Sequence, residues 1–138
     1  MTRRLNKDVS ILIIDDEPTI CAVAKAVLES VDYQVETAKD GLQAIERYEQ
    51  WMQRGQTIDI VILDLNMPGM GCKEIVARLR ATNSNVICIL SSGSSQHETF
   101  VNYANYGFGT NLPKPYDKDE LLAAVEAAFR SREVELDI

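Results

Sequence analysis

Short apolar runs that end abruptly in acidic or hydroxyl residues constrain this chain more than any other feature. Val9 to Ile14 (VSILII) stops at Asp15-Asp16-Glu17, Ile58 to Leu63 (IDIVIL) stops at Asp64, and Val86 to Leu90 stops at Ser91-Ser92-Gly93. β-Branched residues bounded by polar stops, four to eight positions long, are the pattern of buried strands. Between these runs the apolar period lengthens to that of a helix. Pro18 opens one helical segment to about Ser30, with Ile20, Val23, Ala24, Val27 and Leu28 along one stripe. A second strand is expected from Tyr33 to Ala38; Asp40-Gly41 marks a turn, and Leu42 to Met52 reads as a helix with Leu42, Ile45 and Tyr48 or Glu49 at helical spacing. Further helices are expected over about Lys73 to Arg80, Gln96 to Tyr106 and Asp117 to Arg130, with a short fifth strand near Thr110 to Leu112. Strands apolar on both faces need cover on both, so repeated strand–helix units imply one parallel sheet with helices on each side.

The 138 residues suit a single domain, with residues 1–7 as a flexible flank, 8–131 as the folded unit and 132–138 as a tail. A net charge of −7 with scattered basic residues argues against direct nucleic-acid binding. No apolar run approaches the roughly 20 residues that span a bilayer, and ILII runs straight into acids rather than forming an export signal. The expected location is cytoplasmic, without membrane insertion. Cys21, Cys72 and Cys88 lack CxxC spacing, and the single histidine, His97, reads as an exposed helix residue that makes no metal cluster. Cys21 and Cys88 lie in apolar stretches as small buried hydrophobes, whereas Cys72 lies in a loop-like stretch compatible with exposure. Trp51 is expected to pack at the edge of its helix.

In an open parallel sheet, ligands bind at the carboxyl ends of the strands, where the strand order reverses. Those ends carry Asp15, Asp16 and Glu17, then Asp64, then Ser91 and Ser92, then Lys114. Two carboxylates about 4 Å apart repel by roughly 4 kcal/mol at an effective dielectric of 20. Such a group shifts its pKa values upward or collects a cation, and oxygen-only ligands suit Mg2+. A carboxylate is also a competent phosphoryl acceptor. Taken singly, each feature has a plainer reading: Asp15 and Asp16 as helix caps, Ser91-Ser92-Gly93 as a turn, Lys114 as a surface lysine.

Together, VSILIIDDEP, VILDLNMPGM, ILSSG and PKPY resemble, in that order and across about residues 8–130, the receiver domains of two-component response regulators. The resemblance implies a CheY-like, flavodoxin-like (βα)5 fold: an α/β, doubly wound, five-stranded parallel sheet with helices on both faces. It implies Asp64 as phosphoacceptor and Mg2+ as cofactor, with Asp16 a direct ligand, Asp15 acting through a metal-bound water and the Asn66 backbone carbonyl completing the site. The Asn66 side chain would then influence hydrolysis. Ser91 takes the switch-hydroxyl position, Ser92 the small position beside it, and Lys114 pairs with the phosphate ahead of a cis bond to Pro115. Expected partners are a histidine kinase or a histidine phosphotransfer protein, docking on Ile20, Val23, Pro115 and Tyr116. The switched surface would lie on the fourth helix, fifth strand and fifth helix, with room for a phosphorylation-dependent homodimer. The implied role is signalling rather than turnover, the domain catalysing only its own phosphorylation and slow dephosphorylation.

MPGMGCKE, ILSSG and KPY are also similar to receivers at the C-terminus of hybrid sensor histidine kinases, leaving open an excised domain or a free-standing relative. Three positions depart from the family pattern. Asn111 replaces the usual aromatic residue three before the lysine, Pro113 precedes Lys114, and Gly71 stands where an acid is common. Two other classes fit less well. A haloacid-dehalogenase-type phosphohydrolase needs DxD after the first strand, and a flavodoxin-like cofactor binder needs a phosphate loop there. A degenerate receiver that only docks partners remains compatible with Asn111 and Pro113.

Overall fold

The computed structural model describes residues 6–67, 69–93, 101–106 and 108–136. Five strands form one sheet: β1 (Ser10–Ile14), β2 (Gln34–Ala38), β3 (Ile60–Asp64), β4 (Ile87–Ser92) and β5 (Thr110–Pro113). Their order is β2-β1-β3-β4-β5, and every pairing is parallel. Among the described residues four helices accompany them: α1 (Pro18–Glu29), α2 (Gly41–Gln53), α3 (Cys72–Thr82) and α4 (Lys118–Leu136). Residues 96–100 of the expected helix over Gln96 to Tyr106, His97 among them, lie outside the described residues; the described remainder includes a 3-10 turn, Tyr103–Tyr106. A second 3-10 turn, Asn6–Asp8, precedes β1 and is tied down by Asn6 Nδ2 donating to the Val31 carbonyl at 2.8 Å.

The two-residue period of each strand sends alternate side chains to opposite faces. Leu12, Ile14, Val61, Leu63, Cys88 and Leu90 pack with Ala44, Tyr48, Ile75 and Leu79 under α2 and α3. Ile11, Ile13, Ile60, Ile62, Ile87 and Ile89 pack with Ala24, Leu28, Leu121 and Val125 under α1 and α4. Each fully buried aliphatic side chain contributes about 1.5–3 kcal/mol relative to exposure. Both faces are therefore covered, which is why β1 and β3 are apolar along nearly their whole length.

Several local expectations give way to tertiary packing. Val23 is 59% and Leu42 70% exposed, so neither belongs to its helix's buried face, which is Cys21, Ala24 and Leu28 in α1 and Gly41, Ala44, Tyr48 and Trp51 in α2. Cys72 is buried, because it opens α3 rather than lying in a loop and turns into the α2–α3 core. Trp51 is buried near the end of its helix, with the Arg54 guanidinium 5.9 Å from its ring centre. Pro113 extends β5 by one residue, tolerated because β5 is an edge strand with one side free of ladder partners.

Candidate functional site

β1 is the switch point, since β2 lies on one side of it and β3 on the other. Asp15 and Asp16 leave β1 here, and Asp64 ends β3 one strand away. Asp64 pairs in register with Ser91 of β4, and Ser92 pairs with Pro113 beside Lys114. Parallel register alone thus gathers acids, hydroxyls and one ammonium group at one rim.

Lys114 Nζ lies 2.7 Å from Asp15 Oδ2, 3.2 Å from Asp64 Oδ2 and 3.6 Å from Glu17 Oε1. Asp15 and Asp64 are buried, while Glu17 is exposed. At an effective dielectric of 20, a contact near 3 Å supplies about 5–6 kcal/mol of attraction. Burial opposes the ammonium charge, but the Asp15 and Asp64 carboxylates outweigh it and hold the Lys114 pKa above its ordinary value. Burial pushes Asp15 upward, against hydrogen bonds from Lys114 and the Glu17 N–H. These two directions pull apart, because a protonated Asp15 would weaken the pair. The 2.7 Å contact favours the charged pair, and that is the state we assign.

The plain capping reading does not hold for Asp15 or Asp16. Glu17 is the N-cap of α1 and makes no side-chain cap, while the Asp15 carboxylate accepts from the Glu17 N–H at 3.0 Å. The Asp64 carboxylate accepts from the Asn66 N–H at 3.1 Å. Asn66 Nδ2 donates to Ser92 Oγ at 3.1 Å, and the Lys114 N–H donates to the Ser92 carbonyl at 2.8 Å. Ser91 Oγ is buried without a hydrogen-bond partner among the described residues. The Lys114–Pro115 peptide is cis. Asn111 lies half-buried on β5, paired in register with Leu90.

Asp15, Asp16 and Glu17 hold their carboxylate oxygens within 4.8 Å of one another. With Asp64 beside them and Lys114 as the counter-charge, this all-oxygen, anionic donor set fits a hard divalent cation. Asp16 is exposed at the rim, where an ion arriving from solvent meets it first. Two contacts escaped the sequence reading: that of Glu17, already placed among the strand-end acids, with Lys114, and the Cys21 thiol donating to the Asp15 carbonyl at 3.3 Å.

A separate groove of about 190 Å3 runs between α1 and the start of α4. Ile20, Val23, Pro115 and Tyr116, distant in sequence, all line it. Burial, then the nearby Asp15 charge, pushes the Tyr116 hydroxyl up to about 12, so it stays protonated at neutral pH.

These features, an acidic switch point on a five-stranded parallel sheet with a lysine returning from the last strand, define a receiver domain. The model of the response regulator receiver domain family matches residues 11–126, and the chain belongs to that family. Among curated relatives, it is 30% identical over 128 residues to response regulator ArlR of Staphylococcus aureus, covering 93% of this chain and 55% of that protein. It is 29% identical over 116 residues to transcription factor SKN7 of Chaetomium thermophilum, covering 84% of this chain and 15% of that protein. The chain thus spans about half, or far less, of the curated relatives it matches. Among solved structures, a chain of the CheX–CheY–BeF3–Mg2+ complex from Borrelia burgdorferi superposes with a TM-score of 0.77 at 25% identity, covering 88% of this chain and 89% of that chain. The protein is a receiver domain of two-component signalling, a signalling module with the CheY-like flavodoxin fold.

Proposed function

We propose that Asp64 is the phosphoacceptor, taking a phosphoryl group from a phosphohistidine on a histidine kinase or histidine phosphotransfer protein. The observation that carries this reading is Lys114 Nζ bridging Asp15 and Asp64 at 2.7 and 3.2 Å beside the unpartnered Ser91 hydroxyl. A carboxylate oxygen of Asp64 forms the new bond to phosphorus, the bond to the histidine nitrogen breaks, and the imidazole keeps the electron pair. Lys114 neutralises charge on the transferred group, and Ser91 Oγ, without a partner among the described residues, donates to it. Asp16, Asp64 and the Asn66 backbone carbonyl would hold Mg2+, with Asp15 acting through a bound water. Bound there, Mg2+ supplies charge neutralisation to the phosphoryl oxygens.

Relocation of Lys114 and Ser91 toward the phosphoryl group shifts a pre-existing equilibrium at β5, the last helix and the segment before them. Asn111, where the family carries an aromatic residue, makes that readout smaller in side-chain volume. The docking surface is the groove of Ile20, Val23, Pro115 and Tyr116, next to the site. We place the receiver unit at residues 8–131 and read it as a cytoplasmic signalling module rather than a turnover enzyme. No described helix is long and apolar enough to cross a membrane.

Incubation with acetyl phosphate, followed by intact mass, tests the central step. One added phosphoryl group is expected with Mg2+ in the wild type, and none without the metal or in Asp64→Asn. No addition to folded wild-type protein that also fails to bind beryllofluoride would leave only a docking module.

A further inference from the structure

Ser92 is fully buried at the end of β4, yet both its ends engage the site. Its carbonyl holds the Lys114 N–H at 2.8 Å, and its hydroxyl holds Asn66 Nδ2 at 3.1 Å, across 26 residues of sequence. Asn66 is thereby tied twice, since its own N–H donates to Asp64 Oδ1 at 3.1 Å. A planar carboxamide that donates through Nδ2 presents Oδ1 at its other corner. That oxygen has no protein partner among the described residues, two positions beyond Asp64. Water that attacks phosphorus needs an acceptor to orient one of its hydrogens, and a held acceptor does this better than a swinging one.

We infer that Ser92 is a positioning residue for loss of the phosphoryl group, its hydroxyl holding the Asn66 carboxamide where Oδ1 orients the attacking water. The inference rests on the Asp64 reading. In the step it governs, the water oxygen bonds to phosphorus and the phosphorus bond to the Asp64 oxygen breaks. The electron pair returns to the carboxylate, and the water's proton leaves with inorganic phosphate or to solvent. A Ser92 that merely filled space would act on this step independently of Asn66. A Ser92 that acts on this step through Asn66 changes its rate no further once the carboxamide is gone.

The test loads the protein with acetyl phosphate, removes the donor and follows decay of the phosphorylated mass in wild type, Ser92→Ala, Asn66→Ala, the double variant and Ser92→Thr. Each alanine variant is expected to decay about fivefold more slowly, the rate equivalent of one ordinary hydrogen bond. The double variant should be no slower than the slower single one, and Ser92→Thr, which keeps the hydroxyl, should return toward the wild-type rate. Wild-type decay in Ser92→Ala, or single effects that multiply in the double variant, would overturn the inference while leaving Asp64 loading intact. A wild type that takes no phosphoryl group would overturn the Asp64 reading and this one with it. Wild-type protein also supplies a measurement that needs no variant: the Asn66 Nδ2 protons should exchange with solvent more slowly than those of an unbonded amide, and equal exchange would rule out the tether.

Discussion

At the scale of single residues, Lys114 decides the electrostatics of the site. It is the cation between two buried carboxylates, Asp15 and Asp64, and its own side chain is only 11% exposed. Removing one partner of a buried ionic group costs about 3–5 kcal/mol, because the remaining charges stay buried and uncompensated. Lys114→Ala should therefore lose about that much stability in a urea melt without metal. Added Mg2+ should restore part of it, by binding the folded state alone. A loss below about 1 kcal/mol would mean that water already compensates the two carboxylates. The places of Asp15, Asp64 and Lys114 at the strand ends were legible in the sequence. The contact of Glu17 with Lys114 was not, because only the turn from β1 into α1 brings its carboxylate within 3.6 Å of the ammonium.

At the scale of elements, the first turn of α2 shows how closely the helices approach. Asp40 caps it by accepting from the Gln43 N–H at 2.8 Å. A Cβ at Gly41 would lie 3.0 Å from Ile75 Cδ1 and Cγ1 and 3.1 Å from Met70 Cβ. Alanine is the better helix former by about 1 kcal/mol, but overpacking costs about 1–3 kcal/mol. The clash wins, so Gly41→Ala should lower the denaturation midpoint, and adding Ile75→Val, which removes Cδ1, should recover part of the loss. Unchanged stability in the single variant would show that α3 shifts freely away from α2. The sequence marked Asp40-Gly41 as a turn. It carried no sign that glycine is needed there for the close approach of Ile75 and Met70, which lie far along the chain.

At the scale of the whole molecule, the sheet's double cover makes the fold sensitive to alkali. Burial pushes the Cys88 thiol from 9.0 up to about 11, with Arg80 pulling the other way. The folded chain then holds this proton to higher pH than the unfolded chain does, so stability is complete below about pH 9 and falls as pH rises through 11. Two pKa units correspond to about 3 kcal/mol. Denaturant melts of the wild type should show that decline between pH 9 and 11. Cys88→Ala, less stable at pH 8.5 through its cavity, should show a shallower one. Parallel declines in the two proteins would assign the effect to other groups.

The sequence by itself determined the alternation of strands and helices, the parallel sheet and the identity of the residues at its active rim. Those properties follow from local periodicity and from where apolar runs stop, and both are written in neighbouring residues. Element ends and exposed faces were less legible: Val23 and Leu42 sit in helical apolar patterns yet face outward, and Cys72 faces inward. Which apolar residue is buried depends on what covers it, and that is settled by the packing of α1 against α4 and of α2 against α3. The tertiary structure alone decided the Lys114 bridge and the Asn66–Ser92 hydrogen bond. Both join segments far apart in the chain, and such contacts arise only once strand order and register bring the strand ends side by side.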